Sequence, residues 1–173
     1  MPLSAAIMLQ TNNLNNMLLD AKITKQLIAL RQTLATAESC TGGLLAHSLT
    51  NVPGSSAFFL GGLIAYDNRI KTDLLKVPAS TIKKYGAVSQ ETALAMAKAA
   101  RKTFKSDYGI GITGIAGPGG GSATKPIGLV YIAADSFKKS ICHTYHFKGN
   151  RLNIKTKASR AALTILFQML ANP

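Results

Sequence analysis

The sequence predicts an α/β fold, a three-layer α/β/α sandwich around a mixed sheet of about five strands. Three observations predict it. Helical and β-prone apolar runs alternate along the chain, and two β-prone runs separated by Phe137-Lys138 leave room only for an antiparallel hairpin. Two glycine-bearing loops directly follow apolar runs, the place where open α/β sheets receive their ligands.

Each element has its own justification. Apolar side chains at Leu14, Met17, Leu18, Ala21 and Ile28 give the stripe of an amphipathic helix over 14–31. Thr33 to Ala37 is short, β-prone and apolar, a buried strand that ends in Glu38-Ser-Cys-Thr-Gly-Gly43 and is followed by a helix from Leu44 to Leu49. Val52-Pro-Gly-Ser-Ser56 breaks the chain, and Phe58 to Tyr66 reads as a strand whose Gly61 and Gly62 predict a bulge or a close backbone approach. Short helical turns are expected over 70–76 and 81–85. Ser89 is an N-cap for a helix from Gln90 to Phe104 that turns Ala93, Met96, Ala97 and Ala100 inward. Tyr108 to Thr113, Ile127 to Ala134 and Ser140 to Phe147 supply the other strands. A last helix from Leu152 to Leu170 buries Ala162, Ile165, Leu166 and Met169.

At 173 residues the chain suits one domain with a full core, and 47% hydrophobic against 16% charged residues is a globular balance. No apolar stretch reaches the roughly eighteen residues of a membrane helix. The start, Met-Pro-Leu-Ser-Ala-Ala-Ile-Met-Leu, lacks the basic residues and the apolar length of a signal peptide, so a cytoplasmic protein without a membrane partner is expected. The two cysteines, Cys40 and Cys142, suggest no disulfide framework. A net charge of +13 raises the question of a nucleic-acid partner. Against it, Lys83, Lys84, Lys98, Arg101, Lys102 and Lys105, and again Lys148, Arg151, Lys155, Lys157 and Arg160, read as solvated helix faces without interleaved aromatics, so that partner is not expected.

The run from Ile112 to Ser122 carries Gly114, Gly117, Gly119, Gly120 and Gly121 between two apolar segments. So many glycines free the backbone to gather N–H groups around an anion, which makes a phosphate or carboxylate site the first hypothesis. Residues 38–43, between a strand and a helix, are a second anion candidate. Neither loop is a Walker P-loop or a dinucleotide fingerprint. His143 and His146, three apart on a strand, point to opposite faces and His47 stands alone, so neither a metal nor another cofactor is expected. The seven scattered Asp and Glu residues give glycosidase-type chemistry little to stand on. Nucleophiles are better supplied. Cys40 is expected at a helix N-terminus, where a thiolate is favoured. Ser55 and Ser56 stand at the mouth of a strand that Tyr66 closes, with Lys71 five residues on, and the base for a serine would be a neutral lysine or a tyrosinate.

Taken together, Thr36-Ala-Glu-Ser-Cys-Thr-Gly-Gly43, Gly54-Ser-Ser56 with Tyr66 and Lys71, Gly86-Ala-Val-Ser89, Gly114 to Ser122, Lys125-Pro-Ile-Gly128 and Gly149-Asn-Arg151 resemble the CinA C-terminal-domain family over about residues 14–171. Stand-alone members are nicotinamide-nucleotide amidases, which hydrolyse nicotinamide mononucleotide to nicotinate mononucleotide and ammonia in NAD salvage. The resemblance implies catalytic Ser56, Tyr66 and Lys71, and a small nucleotide held by Glu38, Ser39, Thr41, Gly42, Thr113, Gly114, Gly117 and Gly120, with Arg151 as a charged clamp. The oxyanion hole would come from N–H groups near Ser56 or from the 38–43 loop. Residues 1–13 are expected to form an extra tail before a single domain over 14–173, no upstream pyrophosphatase-like domain of the kind in full-length CinA proteins is expected, and a homo-oligomer is expected because family members associate. The competing readings are a catalytically weak nucleotide-binding module of the competence type and, within the enzyme class, a Cys40 nucleophile.

Overall fold

The computed structural model describes residues 19–171. The expected tail over 1–13, the ends of the expected domain, and Leu14, Met17 and Leu18 of the first helix lie outside the described residues. Five strands, β1 (Leu34–Glu38), β2 (Phe59–Ile64), β3 (Tyr108–Gly114), β4 (Leu129–Asp135) and β5 (Ser140–His146), form one sheet in the order β2-β1-β3-β4-β5. β2, β1 and β3 are parallel, while β3 with β4 and β4 with β5 are antiparallel. The mixed α/β sandwich is the architecture the alternation predicts.

Helix α1 (residues 19–30) shares a face of the sheet with α2 (Leu44–Thr50) and α6 (Arg151–Ala171), and Ile23, Leu27, Leu45, Leu49, Ile154, Leu163 and Leu166 form one core with β-strand residues Leu34, Ile110, Ile112 and Ile132. The opposite face carries α5 (Gln90–Phe104), preceded by the short helices α3 (Asn68–Asp73) and α4 (Ala79–Tyr85). Ser89 caps α5, its Oγ accepting from Thr92 N–H at 3.1 Å, and the inward stripe Ala93, Met96, Ala97 and Ala100 is fully buried. This helix lies unusually close to β3. A Cβ at Gly109 or Gly111 would collide with α5 backbone at Ala97 and Ala93, so glycine there is what lets small residues meet small residues.

The hairpin between β4 and β5 is closed by Ser136 N–H donating to Lys139 C=O at 2.9 Å, with Phe137-Lys138 at its tip. The glycine pair in β2 does both things expected of it. Pairing steps from Leu34↔Phe59 to Ala35↔Gly61, which leaves Leu60 as a bulge residue, and a Cβ on Gly62 would strike Thr36 Oγ1.

The inward face of α1 is a correction. Ala21 and Ile28, taken as part of the buried stripe, are exposed, and the buried face is Asp20, Ile23, Thr24 and Leu27. Asp20 can sit there because its carboxylate accepts from Arg160 of α6 at 2.6 Å. A stripe drawn by hydrophobicity alone misses a face on which two of four residues are polar.

Candidate active site

β1 lies between its parallel partners, with the chain running first to β2 on one side and later to β3 on the other. Such a switch point opens a crevice outside the carboxyl ends of the strands. A cavity of about 260 Å³ occupies it. Its walls are Ser39 and Cys40 after β1, Tyr66, Asn68 and Lys71 after β2, Ala87 and Val88 between α4 and α5, and the stretch from Thr113 to Gly120, without Pro118, at the end of β3 and in the loop that follows. Arg151, the first residue of α6, completes it.

Lys71 is the chemically unusual group. Asp67 caps α3 by accepting from Arg69 N–H at 2.8 Å, and one turn inside the helix Lys71 shares a face with Asn68, aimed at the cavity. Its side chain is 1% exposed, yet it has no ion pair, and its one hydrogen bond among the described residues is from Nζ to the Tyr66 carbonyl at 3.2 Å. Burial holds its pKa below the ordinary lysine value, opposed by the Asp67 carboxylate. Among the described residues no Asp or Glu lines the cavity, and its basic residues are Lys71 and Arg151. Arg151 donates from Nη1 to the Gly117 carbonyl and from Nη2 to Tyr66 Oη, each at 2.7 Å.

The wall at Ala87 and Val88 is pinned from two directions. Thr113 Oγ1 donates to Ala87 C=O at 2.7 Å, and Lys125 Nζ donates to Val88 C=O at 2.7 Å and Tyr85 C=O at 3.1 Å. The 38–43 segment is organised differently. Glu38 ends β1 fully buried and accepts from the N–H groups of Gly43, Leu45 and Ala46 at 3.0, 3.1 and 2.8 Å. The start of α2 is therefore already satisfied by a carboxylate of the chain itself.

The family pattern of the CinA C-terminal domain matches residues 16–170. The chain belongs to the CinA C-terminal domain family. It is 49% identical over 142 residues to a CinA-like protein of Geotalea daltonii, covering 82% of this chain and 34% of that protein, and it spans about a third of the length of the curated relatives it matches. Among solved structures it resembles the competence/damage inducible protein CihA of Agrobacterium tumefaciens, with 40% identity, a TM-score of 0.86 and coverage of 89% of this chain and 94% of that one. A competence-damaged protein (CinA) superfamily structure from Klebsiella pneumoniae matches at 31% identity and a TM-score of 0.87, covering 91% and 99%. It is thus a CinA-family protein of the competence/damage-inducible type, and no helix among its described residues is long and apolar enough to cross a membrane.

Within this CinA domain the residues expected at the site divide in two. Tyr66, Lys71, Ser39, Thr113, Gly114, Gly117, Gly120 and Arg151 all line the cavity. Ser56 does not join Tyr66 and Lys71. It is exposed on a 3₁₀ turn, Ser55–Ala57, before β2, whereas Tyr66 and Lys71 follow β2, and the six-residue strand between them spans about 17 Å. The expected Ser56, Tyr66 and Lys71 trio is therefore not assembled within the chain. Glu38, Thr41 and Gly42 are also off the cavity wall. Glu38 is spent on α2, Thr41 is buried with Oγ1 unpartnered, and Gly42 is exposed beside Lys155 Nζ.

The expected anion site over 38–43 is corrected by the same bonds, because Glu38 occupies it. Cys40 is corrected too: it precedes the N-cap Gly43 by three residues and is 5% exposed, and burial pushes its thiol up to about 12, against smaller lowering from its own backbone N–H and from Lys71. A thiolate there is disfavoured. Asn68 escaped sequence reasoning, and Ala87 and Val88 entered it only within the Gly86 to Ser89 motif, with no place at the site. For Asn68 the signal was present, since Asp67 is an N-cap and Asn68 lies three residues before Lys71. The Ala87 and Val88 wall depends on Thr113 and Lys125, contacts 26 and 37 residues apart in the chain.

Proposed function

We propose that this domain is a serine amidohydrolase that cleaves the carboxamide of nicotinamide mononucleotide to the carboxylate and ammonia, with Ser39 rather than Ser56 as nucleophile. The observation that carries the reading is a buried lysine without a counter-ion sharing a carboxylate-free cavity with a serine hydroxyl. The nucleotide itself is taken from the family resemblance, and Arg151 on a cavity wall that no Asp or Glu lines among the described residues suits its phosphate.

In this mechanism neutral Lys71 takes the Ser39 proton, directly or through Tyr66, as Ser39 Oγ bonds to the carboxamide carbon. The tetrahedral adduct collapses with cleavage of the C–N bond, and the Lys71 ammonium returns the proton to departing ammonia. Water then attacks the ester, gives its proton to Lys71, and the carboxylate leaves as Ser39 is reprotonated. In the turn after Ser39 the Gly42 N–H is already committed to the Ser39 carbonyl at 3.1 Å, which leaves the Cys40 and Thr41 N–H groups as the candidate donors for the oxyanion.

Purified protein incubated with the mononucleotide is expected to release ammonia, and Ser39→Ala to abolish the release. No ammonia from the native protein, or unchanged release from Ser39→Ala, overturns the proposal. Turnover is expected to rise with pH through the folded-state pKa of Lys71, below the 10.5 of an ordinary lysine.

A further inference from the structure

Arg151 spans the mouth of the cavity between two separate walls. Gly117 belongs to the loop after β3 and Tyr66 to the loop after β2, and the guanidinium donates to an oxygen of each at 2.7 Å. Both acceptors are neutral, and no carboxylate pairs with Arg151 among the described residues. A guanidinium so placed is held by the weaker kind of bond it makes, since two parallel bonds to a phosphate or carboxylate are roughly twice as strong as bonds to uncharged oxygen.

Tyr66 is 57% exposed, and Arg151 is the partner of its hydroxyl. Its backbone carbonyl meanwhile receives Lys71 Nζ. While Arg151 donates to Oη, one acceptor position of the phenol's oxygen is occupied and unavailable to a proton from the serine.

We infer that Arg151 is the specificity-determining residue of the site: the anion of a phosphorylated substrate draws its guanidinium off Gly117 and Tyr66, and the freed phenol then joins Lys71 in proton transfer. This rests on the amidase reading. The anion's binding energy is thereby expressed in turnover as well as in affinity, because it changes what Tyr66 can do. A substrate with the same amide and no phosphate leaves Arg151 where it is.

The test compares the mononucleotide with nicotinamide riboside, which lacks the phosphate, in the presence and absence of inorganic phosphite. Phosphite is expected to raise riboside kcat about 10-fold in the native protein, less than about 2-fold in Arg151→Met, and to an intermediate extent in Arg151→Lys, which keeps the charge without the fork. A second readout needs no turnover: with ring-labelled tyrosine, the Tyr66 resonance, assigned through Tyr66→Phe, should move on adding phosphite to the native protein and stay still in a folded Arg151→Met. Riboside turnover indifferent to phosphite, a Tyr66 signal unmoved by saturating mononucleotide, or equal responses in the native protein and Arg151→Met each overturn the inference. A Tyr66 signal that moves only when Arg151 is present, in a protein that releases no ammonia, upholds the exchange and sinks the amidase reading instead.

Discussion

The two glycine-bearing loops leave adjacent parallel strands at the same end of the sheet, yet they use their backbone in opposite ways. After β1, Glu38 turns back on Gly43, Leu45 and Ala46 and closes the helix start with the chain's own charge. After β3, the loop brings glycines to the cavity with no acidic residue lining it among the described residues; Arg151 holds it at the Gly117 carbonyl, and its own Lys125 reaches across to Val88. Glycine content alone does not make an anion site. What decides is whether the nearest carboxylate already belongs to the protein.

Breaking the first loop should cost most. Ser39→Ala is expected to lower kcat at least about 10³-fold, the scale of losing a nucleophile, whereas exposed Ser56→Ala should stay within about twofold of native turnover. Should Ser56→Ala be the silent enzyme instead, the site would have to be built from something other than this chain's cavity. Glu38→Ala strands three helix-start N–H groups in a buried setting and should reduce stability by about 3 kcal/mol in urea titration.

Perturbing the second loop should act on binding. Gly117 has φ +73°, and a Cβ there would press on Ile127 Cγ2 at 2.8 Å, so Gly117→Ala should raise KM about 10-fold through strain of about 1–2 kcal/mol. Cys40 offers a pH signature for the first loop. Its thiol pKa is raised from 9.0 to about 12, so its contribution to stability is complete below pH 9 and falls away as pH climbs toward 12. Cys40→Ala should flatten the alkaline fall in Tm, and iodoacetamide should react slowly with native Cys40 at pH 8. The smallest effect belongs to Gly119→Ala, where an added Cβ meets nothing within 4 Å, and stability should hold within about 0.5 kcal/mol.

Local pattern carried the fold. The Ser89 cap, the α5 stripe, the Phe137-Lys138 hairpin and the glycine bulge in β2 are each encoded within a few residues, and each was legible there. The failures came where a distant partner decides. The polar Asp20 is buried because of Arg160, 140 positions away in the chain. Glu38 as a ligand carboxylate and Glu38 as a cap for α2 look alike in sequence, and only the direction of its bonds separates them. Lys71 was a candidate base by its place after Tyr66 and a catalytic one by resemblance, but its burial with no ion pair among the described residues is a property of the packed crevice. Ser56 and Tyr66 are ten residues apart, a closeness in number that an intervening strand turns into distance.

The bulge at Leu60 reaches further than the edge of the sheet where it sits. Side chains along a strand alternate between faces, so one surplus residue reverses the phase of all that follow it. By absorbing Leu60 before Gly61, β2 keeps Gly61 to Ile64 in step with Ala35 to Glu38. A frame error near the start of the strand would leave the sheet paired and exchange the inward Leu63 for the exposed Ile64.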